Sequence, residues 1–140
     1  MSIAAYFESI GDTLETNLVH AGRERIRHRL VVSDETRAVI GELADKVHWA
    51  VQVAALATEQ DDPRVALEVI EAKGEVNSIV DAAERYLARR LIREAPQRLA
   101  TYRMETELIE NLKRVYYFAK RIAHTVVVED VRVREAPALA

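Results

Sequence analysis

Apolar residues recur at three- and four-residue steps along nearly the whole chain, and its 140 residues contain only four glycines and three prolines to interrupt them. This is the period of a helix, and no stretch alternates for long enough to suggest a strand. The stripe begins with Ile3, Phe7, Ile10, Leu14 and Leu18. A second stripe, Glu8, Asp12 and Glu15, follows the same spacing on a different side. One helix thus offers a core side and a carboxylate side, which predicts a bundle helix with a surface cation site.

Four helices are expected. The first runs from about Ile3 to Arg29 and ends before Leu30, Val31 and Val32, whose branched side chains suit an extended connection. Ser33 reads as an N-cap, with Asp34 and Glu35 in the first turn of a helix striped by Ile40, Leu43, Val47, Ala50, Ala54 and Ala57. Asp61, Asp62 and Pro63 stop that helix and start the third, one Asp serving as cap and Pro63 as the first residue. The third buries Val69, Val76, Val80, Ala83, Leu87 and Leu91 and ends near Pro96. The last carries Leu108, Leu112, Val115, Ala119, Ile122 and Val126. Long helices joined by short turns fold back on one another, so the expected class is all-α: an antiparallel up-down bundle of about four long helices. Phe7, Leu14, Leu43, Val47, Val80, Leu87, Leu112 and Ile122 should share its core. Residues 1–128 form this single domain, and 129–140, with Pro137 and small residues, read as a flexible tail.

Composition narrows the function. Twenty basic residues stand against 23 acidic ones, so charge favours neither nucleic acid nor an anionic membrane as partner. Tyr102, Tyr116 and Tyr117 suit a core or rim better than a base-stacking platform. Without cysteine there is no disulfide or thiolate metal site, which fits a reducing compartment. No apolar run approaches a membrane span and no signal-peptide layout opens the chain, so a soluble, cytoplasmic domain is expected. Enzyme chemistry is not expected. His20, His28, His48 and His124 sit on different helices or turns, and none belongs to a His-Glu-x-x-His or Glu-x-x-His motif. Asp45 and His48 stand one turn apart, but a partly buried His beside Trp49 reads as structural.

Arg85, Arg89 and Arg93 repeat at four-residue steps, with Arg90, Arg98 and Arg103 nearby. Like charges at this spacing repel, so something must favour the row. Acids on a neighbouring helix would do so. So would an anionic partner, such as a phosphate-bearing ligand, a lipid head group or a transporter loop, because guanidinium forks suit phosphate oxygens. Ala50, Ala54, Ala55 and Ala57, close to Trp49, would let another helix approach and make a candidate surface for self-association or docking.

Ile10 to Val19, reading IGDTLETNLV, resembles the last helix of a PhoU repeat, with Glu8 and Asp12 at the positions of that helix's two surface carboxylates. Tyr86 to Leu91, followed by Thr106 to Val115, looks like the closing helix pair of the PhoU-like domain that follows the membrane part of bacterial sodium/phosphate cotransporters. Ser33-Asp34-Glu35 resembles the capped helix start after the linker of those domains. The resemblance implies that residues 3–29 are the last helix of a first repeat and 33–128 a second three-helix repeat. The chain would then begin mid-domain, as a piece of a longer transporter or as a natural short form.

Function follows from the same resemblance. It implies a non-enzymatic regulatory or interaction domain linked to phosphate transport, at the inner face of the membrane. Its partner would be a membrane transporter domain, a membrane segment of the parent chain or a second copy in a homo-oligomer. The alternative is a stand-alone metal-binding PhoU-type regulator. No cofactor is implied for the first reading; the second would hold a divalent or ferric metal at Glu8, Asp12 and Glu15. Glu71 and Glu75 complete that site only if the third helix lies alongside. In the second repeat Lys73, Asn77, Lys113 and Tyr117 stand where carboxylates would be required, and an ammonium repels a cation.

Overall fold

The computed structural model describes residues 1–92 and 98–137. Among these, every regular element is helical and there is no strand. No helix is long and apolar enough to cross a membrane.

The first helix is built from three pieces: α1 (Ile3–Asp12), a π-helical segment (Thr13–Leu18) and α2 (Val19–Arg27). Ser2 caps its start, its hydroxyl accepting from the Ala5 amide at 3.2 Å. Ser9 and Thr13 turn their hydroxyls back onto the carbonyls four residues earlier, at 2.9 and 2.8 Å. That competition loosens the α ladder. The π segment follows, closed where the Val19 amide donates to the Leu14 carbonyl five residues back. The inward face accordingly runs through Tyr6, Ile10, Thr13 and Ala21. This corrects the expected stripe: Leu14 is not in the core but 44% exposed, and Phe7 is half-buried.

The helix ends in a Schellman motif. Arg29 takes a left-handed conformation (φ 52°), and the amides of Leu30 and Arg29 return to the Arg25 and Ile26 carbonyls at 2.9 and 3.2 Å. Asp61 (φ 50°) closes α3 (Asp34–Gln60) in the same way, through the amides of Asp62 and Asp61 to Ala57 and Thr58. Ser33 caps α3 as expected, and Asp62 caps α4 (Pro63–Glu71) with Pro63 in its first turn. The expected third helix is divided at Ala72, whose ψ of −6° interrupts the ladder before α5 (Lys73–Leu91). Lys73 is followed by Gly74, a weak helix former, so little local propensity opposes the break. Residues 93–97, including the break expected at Pro96, lie outside the described residues. The last helix, α6 (Arg98–Glu135), has 38 residues and continues past Val128, where the sequence suggested it would end. The Arg134–Asp130 ion pair at 3.0 Å spans one turn of this extension.

One continuous core joins all of these elements, and α6 passes through it, contacting every other helix. Leu43, Val47, Ala50, Ala54 and Ala57 of α3 pack with Val69, Val76, Val80 and Leu87 of α4 and α5 and with Ile109, Leu112, Val115 and Ile122 of α6. The expected alanine surface is therefore core instead: Ala50, Ala54 and Ala57 are fully covered, their short side chains letting the helices approach closely, and only Ala55 of that group is exposed. Cross-helix pairs fix the directions. Along α3 and α5 they are Lys46 with Glu75, Thr36 with Tyr86, and Ser33 with Arg90. Along the first helix and α6 they are Tyr6 with Arg121 and Asn17 with Asn111. In both sets one number falls as the other rises.

Candidate functional site

Glu8, Asp12 and Glu15 all reach solvent on the outer side of the first helix. Glu8 and Asp12 keep α-helical spacing, whereas Glu15 lies inside the π segment and turns away from that row. Among the described residues this helix packs on α6 and on no other element. Neither α4 nor α5 lies alongside it, so Glu71 and Glu75 are not brought to the acidic row. Glu75 is instead held by Lys46 at 2.8 Å, and the Lys46 ammonium also sits 3.9 Å from the Trp49 ring centre. No group of three or more His, Asp or Glu side chains among the described residues is placed to hold a metal ion. Lys113 is ion-paired with Glu110 (3.1 Å) and Glu84 (3.9 Å), an arrangement that already satisfies the ammonium.

Arg85 and Arg89 are exposed on α5, and Arg93 lies outside the described residues. No ion pair engages Arg85 or Arg89 among the described residues. Arg85 borders a groove of about 520 Å³ between α5 and α6, together with Asp81, Glu84, Tyr102 and Thr106. The two acids at its rim make it a poor receptacle for an anion. His48 is exposed, not partly buried, and no hydrogen bond joins it to Asp45.

A polar cluster lies where α3 begins, α5 ends and α6 begins. Arg90, next to the exposed row in sequence but one residue off its line, turns inward, and its Nη1 donates to Ser33 Oγ, Thr36 Oγ1 and Tyr86 Oη. Beside it Glu105 is only 4% exposed, and its Oε1 has no hydrogen-bond partner; the same holds for the buried Nε of Arg98. Burial pushes the Glu105 carboxyl above its ordinary range, against the opposing pull of Arg90 and Arg98. The Arg90 guanidinium thus ties the start of α3 to the end of α5 through three hydroxyls, with the Glu105 carboxyl of α6 buried beside them. A second buried polar contact crosses the core, where the Tyr116 hydroxyl donates to the Val69 carbonyl at 2.7 Å and burial raises its pKa to about 12.

No family model matches this chain. No curated protein and no solved structure matches it either.

The most distinctive surface of the molecule is the outer side of the first helix. Because the helix has one neighbour, part of its apolar residues remains uncovered: Leu14 and Val19 are about half exposed and Ile26 is 78% exposed. Sequence periodicity missed this surface because Leu14 fits a core stripe unless the π segment is known. The palindromic spacing of apolar residues and glycines along the helix was the available signal.

Proposed function

We propose that the protein is a non-enzymatic regulatory or interaction module linked to phosphate transport, with a PhoU-like arrangement of helices. The cross-helix pairs support an antiparallel bundle in which α3, α4–α5 and α6 form a three-helix unit. The first helix lies on the outside of that unit. This is the layout expected if residues 3–29 close a first repeat and residues 33–128 make up a second.

The observation that carries the reading is that the first helix packs on α6 alone and leaves an apolar outer stripe in solvent. Exposed apolar side chains aligned along a helix mark a docking surface, because covering them releases water at about 25 cal/mol per Å². The module acts by docking, at the inner face of the membrane, on or beside a phosphate transporter. Uptake of radiolabelled phosphate tests this in cells expressing the wild-type chain or the Phe7→Glu, Leu14→Glu double variant. The wild type should change uptake relative to cells without it, and the variant, whose stripe is charged, should lose that effect. Uptake indifferent to the wild-type chain would overturn the proposal.

A further inference from the structure

We infer that the outer stripe of the first helix pairs antiparallel with the same stripe of a second copy of this chain. The inference rests on the docking reading and makes the pair of copies, joined through this stripe, the unit that acts beside the transporter. Six residues define it: Phe7, Gly11, Leu14, Val19, Gly22 and Ile26. Leu14, Val19 and Ile26 are exposed, Phe7 is half-buried, and a Cβ added at either glycine would meet nothing within 4 Å. Phe7 and Leu14 stand about two α-helical turns apart, as do Val19 and Ile26. Between them the Val19 amide bonds to the Leu14 carbonyl, so a single π turn carries the second pair onto the line of the first. The stripe is therefore palindromic about the middle of the helix. Turned end for end, Phe7 meets Ile26, Gly11 meets Gly22, and Leu14 meets Val19.

Charge has the matching symmetry. From Ile3 to Val19 the helix carries Glu8, Asp12 and Glu15 and no base, while from His20 to Arg29 it carries Arg23, Arg25, Arg27 and Arg29 against one acid, Glu24. Among the described residues no ion pair engages Glu8, Asp12, Glu15, Arg23 or Arg25, and Arg27 reaches only Glu24 at 3.6 Å. An antiparallel pair places the acidic half of each helix along the basic half of the other. Glu8 then lies level with Arg23 to Arg27 of the partner subunit, where long side chains reach it. A two-fold interface requires such a self-complementary patch, because each contact occurs twice. A parallel pairing would instead set acid beside acid and base beside base.

Two charge variants and their mixture test the inference on purified protein, with no transporter present. Glu8→Arg with Glu15→Arg leaves Asp12 as the acid of the first half and turns that half net basic, and Arg23→Glu with Arg27→Glu leaves Arg25 and Arg29 as the bases of the second half and turns that half net acidic. Wild type should sediment at twice the monomer mass of 15.9 kDa. Each double variant alone should sediment at the monomer mass with unchanged helicity by circular dichroism. An equimolar mixture of the two should return to twice the monomer mass, and the return should weaken as salt is added. A wild type that stays monomeric at every concentration would overturn the inference, as would variants that remain dimeric alone or a mixture that does not reassociate. Because phosphate uptake is not measured here, failure of the self-pairing is distinguishable from failure of the docking function.

Discussion

At the scale of single residues, buried polar groups set the chemistry of this molecule. Glu105 is the clearest case, a carboxyl with one orphaned oxygen in a site that disfavours its charge. Its folded pKa lies above its unfolded value, so the folded state holds a proton that the unfolded chain gives up first. Stability is then greatest below the ordinary glutamate pKa and falls as pH rises through the raised one. Thermal midpoints measured across this range should show that decline in the wild type, and Glu105→Gln should flatten it; parallel profiles would remove Glu105 from this role. Tyr116 makes the opposite kind of contribution, a satisfied bond deep in the core. Tyr116→Phe leaves the Val69 carbonyl without that donor and should cost about 1–3 kcal/mol in denaturant unfolding. A loss near zero would mean that another donor takes its place.

At the scale of elements, the first helix separates what sequence reveals from what it conceals. The caps at Ser33 and Asp62, the stop before Pro63 and the buried stripes of α3 and α6 follow from side-chain chemistry that acts within a turn or two, and each was legible. The π segment was not, because it arises where Ser9 and Thr13 compete for carbonyls while Asn17 reaches Asn111 on a distant helix at 2.9 Å. A period count assigns Leu14 and Ile10 to the same face, and only the tertiary contact separates them. The inward turn of Arg90 was hidden for the same reason, since its hydroxyl partners Ser33 and Thr36 lie more than fifty residues away. Unfolding of two variants makes the separation measurable. Ile10→Ala should lose about 2–5 kcal/mol as a buried truncation, while Leu14→Ala, half in solvent, should lose far less. Equal losses would place both in the core.

At the scale of the whole molecule, α6 organises the fold and the first helix is held from one side. Ala50, Ala54 and Ala57 line contacts that let α3 approach its neighbours. Ala54→Arg should therefore abolish cooperative unfolding and not merely alter mass in solution, because no space exists for the guanidinium; a folded variant would return that surface to solvent. The first helix lacks such enclosure, and in the proposed pairing a second copy supplies it. Hydrogen exchange followed across protein concentration tests this most directly. In dilute protein the amides of Ile3–Arg27 should open with a lower free energy than those of α3 and α6, and they alone should gain protection as concentration rises. Protection of the first helix equal to that of α3 and α6, and independent of concentration, would contradict the account.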